Sequence, residues 1–161
     1  MKALLNGSPF EEEVVMDTAL AHSFNPEQLH LDPTRAWELQ NAGAGVIVDV
    51  RLPEEREWFA QIPGAITLPL DCLQHLAGFG EHPLDSGGER LEPQERRTLL
   101  SMLMHHASAG NALLLFCARG DRSLEAAQIL RDLGYLRAYC VAGGLHTWEQ
   151  RGLPLIRPGD V

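Results

Sequence analysis

The stretch Leu113–Ser123, L-L-L-F-C-A-R-G-D-R-S, constrains the fold more than any other part of the chain. Leu113 to Phe116 run apolar without alternation, the pattern of a strand buried on both faces, as in a parallel sheet. After Ser123, residues Leu124, Ala127, Ile129, Leu130 and Leu133 recur at helical spacing. Between the two lie Cys117, Ala118, Arg119, Gly120, Asp121 and Arg122. A thiol is therefore predicted at the carboxyl end of a central strand, on a short loop that feeds a helix. Open α/β sheets bind their ligands at that position.

The loop gives the thiol its chemistry. A short turn into a helix aims successive backbone N–H groups at one centre, and the helix dipole adds positive potential there. Cysteines at such sites, beside basic neighbours, ionise at about pH 3.5–7.5 instead of about 8.5. Gly120 permits a left-handed or cramped backbone. Arg119 and Arg122 offer forked, cationic donors for an oxyanion. Asp121 reads as the N-cap of the helix. A cysteine alone would equally suit a buried structural thiol before an ordinary turn. The glycine and both arginines together favour a reactive one.

The loop C-A-R-G-D-R-S resembles the active-site loop of rhodanese-like sulfurtransferases, roughly C-x-x-G-x-x-S/T. Supporting pieces follow the family order: Asp49-Val50-Arg51 closing an apolar strand, Glu57-Trp58, Ile62-Pro63-Gly64-Ala65, Leu133-Gly134-Tyr135, Ala142-Gly143-Gly144 and Trp148. The resemblance covers about residues 28 to 155. One departure is Ala60-Gln61, where the family commonly has Gly-His; it touches a turn and not the cysteine loop. The resemblance implies an open parallel five-stranded sheet with helices on both faces. It also implies a cysteine that carries sulfane sulfur as a persulfide, with no metal or organic cofactor.

The remaining sequence bounds this reading. At 161 residues and 45% apolar content, one packed domain is expected. A net charge of −9 argues against a general nucleic-acid or anionic-membrane surface, and sets Arg119 and Arg122 apart from an acidic background. No apolar run is long enough to span a bilayer. Met1 to Glu13 lacks the pattern of a signal peptide. Three widely spaced cysteines fit neither a disulfide framework nor a zinc site, so a cytoplasmic setting is expected.

In chain order, residues 1–26 read as an appendage with a short helix at 11–21, and residues 27–157 as a single rhodanese-like domain. Strands are predicted at 29–31, 46–49, 65–68, 113–116 and 137–141. Asp32-Pro33 reads as a helix start, with helices also after Pro53, after Pro93, after Ser123 and from Gly144. Residues 71–92 read as a long exposed connection or lid, rich in glycine and acids. Strands alternating with helices imply a parallel sheet covered on both faces.

Asp49 and Arg51, at a strand end, read as supporting residues that fix loops beside the cysteine. Cys140, inside an apolar strand, reads as an inert buried thiol. Cys72 would resolve an oxidised Cys117 only if it lay close. His105-His106 point about 100° apart on a helix and form no ligand pair. Three functions are weighed. The first is a sulfurtransferase moving sulfur from a small donor such as thiosulfate to cyanide, a thiol or a protein acceptor. Arg119 carries the donor choice: thiosulfate-using relatives tend to have a basic residue there, and mercaptopyruvate-using ones a small residue. The second is a Cdc25-like phosphatase or arsenate reductase. That reading needs C-x5-R, whereas four residues separate Cys117 from Arg122. The third is a persulfide-carrier or partner-binding module.

Overall fold

The computed structural model describes residues 28–76 and 93–159. The appendage at 1–26, with its expected helix, and residues 77–92 of the long connection lie outside them.

Five strands form one all-parallel sheet in the order β1-β5-β4-β2-β3. They are β1 (His30–Leu31), β2 (Gly45–Asp49), β3 (Ile66–Thr67), β4 (Ala112–Phe116) and β5 (Ala138–Val141). β4 lies in the middle. It pairs with β2 in a register that runs from Gly45 opposite Ala112 to Asp49 opposite Phe116, and with β5 so that Leu115 faces Cys140. Every residue of β2, β4 and β5 is buried, which is why their apolar runs do not alternate.

The helices are α1 (Pro33–Asn41), α2 (Pro53–Trp58), α3 (Leu70–Leu76), α4 (Pro93–Ser108), α5 (Asp121–Asp132) and α6 (Gly144–Gln150). Side chains on one sheet face, among them Val48, Leu113 and Leu115, pack with Leu73 of α3, Leu103 of α4 and Leu130 of α5. Those on the other face, among them Ile47, Leu114 and Phe116, pack with Leu39 of α1 and Trp148 of α6. The sheet is thus covered on both sides. α1 starts as its sequence dictates: the Asp32 carboxylate accepts from the Thr34 N–H at 3.0 Å, and Pro33 opens the helix. Trp148 is a core residue, fully buried, with its indole N–H donating to the Pro154 carbonyl at 2.9 Å. Among the described residues no helix is long and apolar enough to cross a membrane.

Two local expectations are corrected. The connection read as loop from residue 71 begins as helix α3, because Leu70, Cys72 and Leu73 supply an apolar face that packs into the core. Helix α5 begins at Asp121 and not after Ser123. Its N-cap is Gly120 in the left-handed conformation, φ 105°, so Asp121 occupies the first turn and does not cap it.

Candidate active site

Cys117 directly follows β4, so the central strand fixes where its side chain begins. The left-handed Gly120 then turns the chain back over it. As a result the Gly120 N–H donates to Cys117 Sγ at 3.0 Å and the Ser123 N–H at 3.3 Å. Ser123 Oγ lies 3.3 Å from the same sulfur. Three donor-capable groups converge on one atom, and the first turn of α5 contributes two of them. Cys117 and Ser123 are each fully buried. The Asp121 carboxylate stands 3.9 Å from Sγ, on an exposed side chain.

The loop's carbonyls are held from the other side. The Leu145 N–H donates to Cys117 O at 2.9 Å, and the His146 N–H to Ala118 O at 3.2 Å. These donors open α6, where backbone N–H groups have no partner inside the helix. With its carbonyls engaged there, the loop presents its N–H groups to the sulfur. Gly144 permits the approach. Its φ is +58°, and a Cβ there would stand 2.2 Å from Cys117 O and 2.7 Å from Ala118 C.

Asp49 and Arg51 lie beside this frame and are buried together. The Arg51 N–H and Nε each donate to Asp49 Oδ1 at 3.0 Å, and Nη2 donates to Asp49 Oδ2 at 2.8 Å and to Ala60 O at 2.9 Å. The pair ties the end of β2 to the turn before β3. Arg51 Nη1 has no hydrogen bond, and the guanidinium carbon sits 5.3 Å from the Phe116 ring centroid.

The two loop arginines have different surroundings. Arg122 forms a fork with Glu55 of α2, Nη1 to Oε2 at 2.6 Å and Nη2 to Oε1 at 2.8 Å. Glu55 Oε2 also accepts from the Leu52 N–H at 2.9 Å. The hydrogen bonds from Arg122 hold the Glu55 carboxyl below its ordinary range, and Glu55 raises the Arg122 guanidinium in turn. Arg119 is exposed, with no hydrogen bond or ion pair among the described residues. With Ala118, Arg51, Glu55, Phe59 and His146 it lines an open pocket of about 230 Å³ beside the cysteine loop.

The remaining cysteines are free and buried. Cys72 belongs to the same apolar cluster as Cys117. Cys140 stands closer to the loop than an inert strand thiol needs to: its Sγ is 3.1 Å from Ser123 Oγ and 3.3 Å from Gly120 O. Three residues of this site take roles that the sequence did not assign them: Glu55, Cys140 and, as a packing position, Gly144. Only Gly144 carried a signal there, the Gly-Gly pair ahead of a helix.

Comparison with known proteins agrees with this arrangement. The model of the rhodanese-like domain family matches residues 32–151. The maize protein named adenylyltransferase and sulfurtransferase MOCS3-2 is 37% identical over 57 residues, which are 35% of this chain and 12% of that protein. The chain therefore spans only a small part of that relative. Human thiosulfate:glutathione sulfurtransferase is 29% identical over 110 residues, 68% of this chain and 84% of that one. The solved structure of the human single-domain sulfurtransferase TSTD1 superposes with a TM-score of 0.53 at 26% identity, covering 76% of this chain and 96% of that one. With three-quarters of its length matched by the family model and the cysteine loop set at the end of the central parallel strand, the chain belongs to the rhodanese-like domain family.

Proposed function

We propose that this chain is a sulfurtransferase that carries sulfane sulfur on Cys117. The observation that supports it most is the convergence of the Gly120 N–H, the Ser123 N–H and the Ser123 hydroxyl on one sulfur atom. Such a cradle stabilises a thiolate before attack and an anionic sulfur afterwards. The Cys117 thiolate attacks the outer sulfur of thiosulfate. The donor's S–S bond breaks, its electron pair leaves with sulfite, and Cys117 becomes a persulfide. A nucleophilic acceptor then attacks the outer sulfur and returns the thiolate, in two covalent steps. Arg119, at the pocket rim and without an ion pair among the described residues, supplies positive charge for the donor and the departing sulfite. The human relative named for thiosulfate and glutathione supports that donor and a thiol acceptor.

Phosphoryl chemistry fits less well. The loop is one residue short of C-x5-R, and the Arg122 fork is engaged by Glu55. The test is turnover with thiosulfate and cyanide beside hydrolysis of an aryl phosphate. Cys117-dependent thiocyanate formation without phosphatase activity supports the reading, and the reverse overturns it.

One observation favours a second reading, a persulfide carrier that hands sulfur to a docked protein. Cys117 is fully buried, while Phe59, which lines the pocket, and Trp58, its neighbour in the chain, are 55% and 70% exposed. Slow turnover with small acceptors, and transfer only to a specific protein, would favour it.

A further inference from the structure

Register places Cys140 of β5 opposite Leu115 of β4, two residues before Cys117. From there its side chain reaches the underside of the cysteine loop. Cys140 Sγ lies 3.1 Å from Ser123 Oγ and 3.3 Å from Gly120 O. Ser123 Oγ lies 3.3 Å from Cys117 Sγ, and the Gly120 N–H makes the 3.0 Å contact to that sulfur. Cys140 therefore touches the Ser123 hydroxyl of the cradle directly, and the carbonyl of Gly120, the residue whose N–H reaches the sulfur.

All three side chains, Cys117, Ser123 and Cys140, are fully buried, so their hydrogen bonds are made with one another, with the surrounding backbone and, from Cys117 Sγ at 3.9 Å, with the Asp121 carboxylate. A serine hydroxyl has one proton and two lone pairs, and a thiolate only accepts. When Cys117 is a thiolate, the Ser123 proton is best placed on Cys117 Sγ. That placement is favoured when the third group of the row donates toward Ser123 Oγ or Gly120 O and does not compete as an acceptor. A protonated thiol at Cys140 meets this requirement. Hydrogen bonds in such a row polarise one another.

We propose that Cys140 is a positioning residue that holds the Ser123 hydroxyl as a donor toward Cys117 Sγ. Burial pushes the Cys140 thiol up, the hydrogen bond with Ser123 pulls it down, and the neighbouring Cys117 and Asp121 charges push it up again; the net rise favours the protonated, donating thiol at Cys140. Nothing in the family resemblance points to this strand position. It deepens the proposed function, since it rests on Cys117 being the reactive thiolate, but not on the identity of the sulfur donor.

The test is the pH dependence of Cys117 alkylation by iodoacetamide in the full chain, with the modified peptide identified by mass spectrometry. Cys140→Val keeps an apolar filler and removes the donor. It should move the inflection of the alkylation rate to higher pH by about half to one unit, three- to tenfold less thiolate, as for one lost hydrogen bond. Cys140→Ser, which keeps a donor, should retain the wild-type inflection. In a Ser123→Ala background, Cys140→Val should add less than half of its single-variant shift. A Cys140 that merely fills the core would lower thermal stability and leave the inflection in place, and that result overturns the proposal. Should Cys140→Val fail to fold, the comparison of Cys140→Ala with Cys140→Ser decides in the same way. Alkylation needs no sulfur donor. An intact alkylation profile with no sulfur transfer would reject the proposed function and leave this inference standing.

Discussion

Gly144→Ala should damage the cysteine loop without touching any group that contacts sulfur. The added Cβ would stand 2.2 Å from Cys117 O, 2.7 Å from Ala118 C and 2.8 Å from Ala118 O, all backbone atoms that cannot rotate away. Ordinary contact needs about 1 Å more, so the loop and the start of α6 must separate. Separation weakens the Leu145 N–H bond to Cys117 O, now 2.9 Å, which contributes about 0.5–1.5 kcal/mol. Overpacking adds about 1–3 kcal/mol, and the left-handed backbone about 1–2 kcal/mol for a residue with a Cβ. The expected loss is about 3–6 kcal/mol, a drop of roughly 5–20 °C in melting temperature for a domain of this size. Gly134→Ala is the control. Its φ is +104° but nothing lies within 4 Å of an added Cβ, so only the backbone cost of about 1–2 kcal/mol applies. Urea unfolding measures both variants, and the rate of sulfur loading on Cys117 reports the loop. Equal losses in the two variants, with wild-type loading in Gly144→Ala, would refute the view that α6 shapes the cradle.

Other outcomes follow from the site. Arg119→Ala should lower kcat/KM for thiosulfate about 10–100-fold, as for one charge-assisted contact, with Arg119→Lys retaining part of it. Asp121→Asn should raise kcat/KM for dianionic thiosulfate about fivefold, because the carboxylate stands 3.9 Å from Sγ and an exposed like charge at that range opposes the donor by about 1 kcal/mol. An uncharged sulfur donor should gain less, and raised salt should shrink the difference. Arg122 holds Glu55 below its ordinary value of 4.5, so the pair stabilises the fold fully above that pH and loses its contribution as pH falls through the depressed value. Urea unfolding across the acid range should show that loss, and Glu55→Gln should flatten it.

Several of these features were readable in the sequence because they are local. Leu113 to Phe116 became the central strand because four apolar residues in a row suit only a doubly covered position. Asp32-Pro33 started α1 through a contact two residues away. The helix Leu70–Leu76 was hidden by the glycines and acids that follow it, which made the whole stretch look like loop. Gly120 took the cap position expected of Asp121 because the loop needs a left-handed residue where it turns back on the sulfur. The Arg122–Glu55 fork joins residues 67 apart, and the Ser123–Cys140 contact joins residues 17 apart across neighbouring elements. Neither spacing leaves a periodic trace, so only the packed sheet brings these side chains together.

If Cys117 carries the sulfur, intact-protein mass spectrometry before and after thiosulfate, and again after cyanide, will show it. Thiosulfate should add the mass of one sulfur atom, peptide mapping should place it on Cys117, and cyanide should remove it. Cys117→Ser should abolish the addition while Cys72→Ser leaves it intact. No added mass, or sulfur found on Cys72 or Cys140 with Cys117 unmodified, would rule Cys117 out as the carrier.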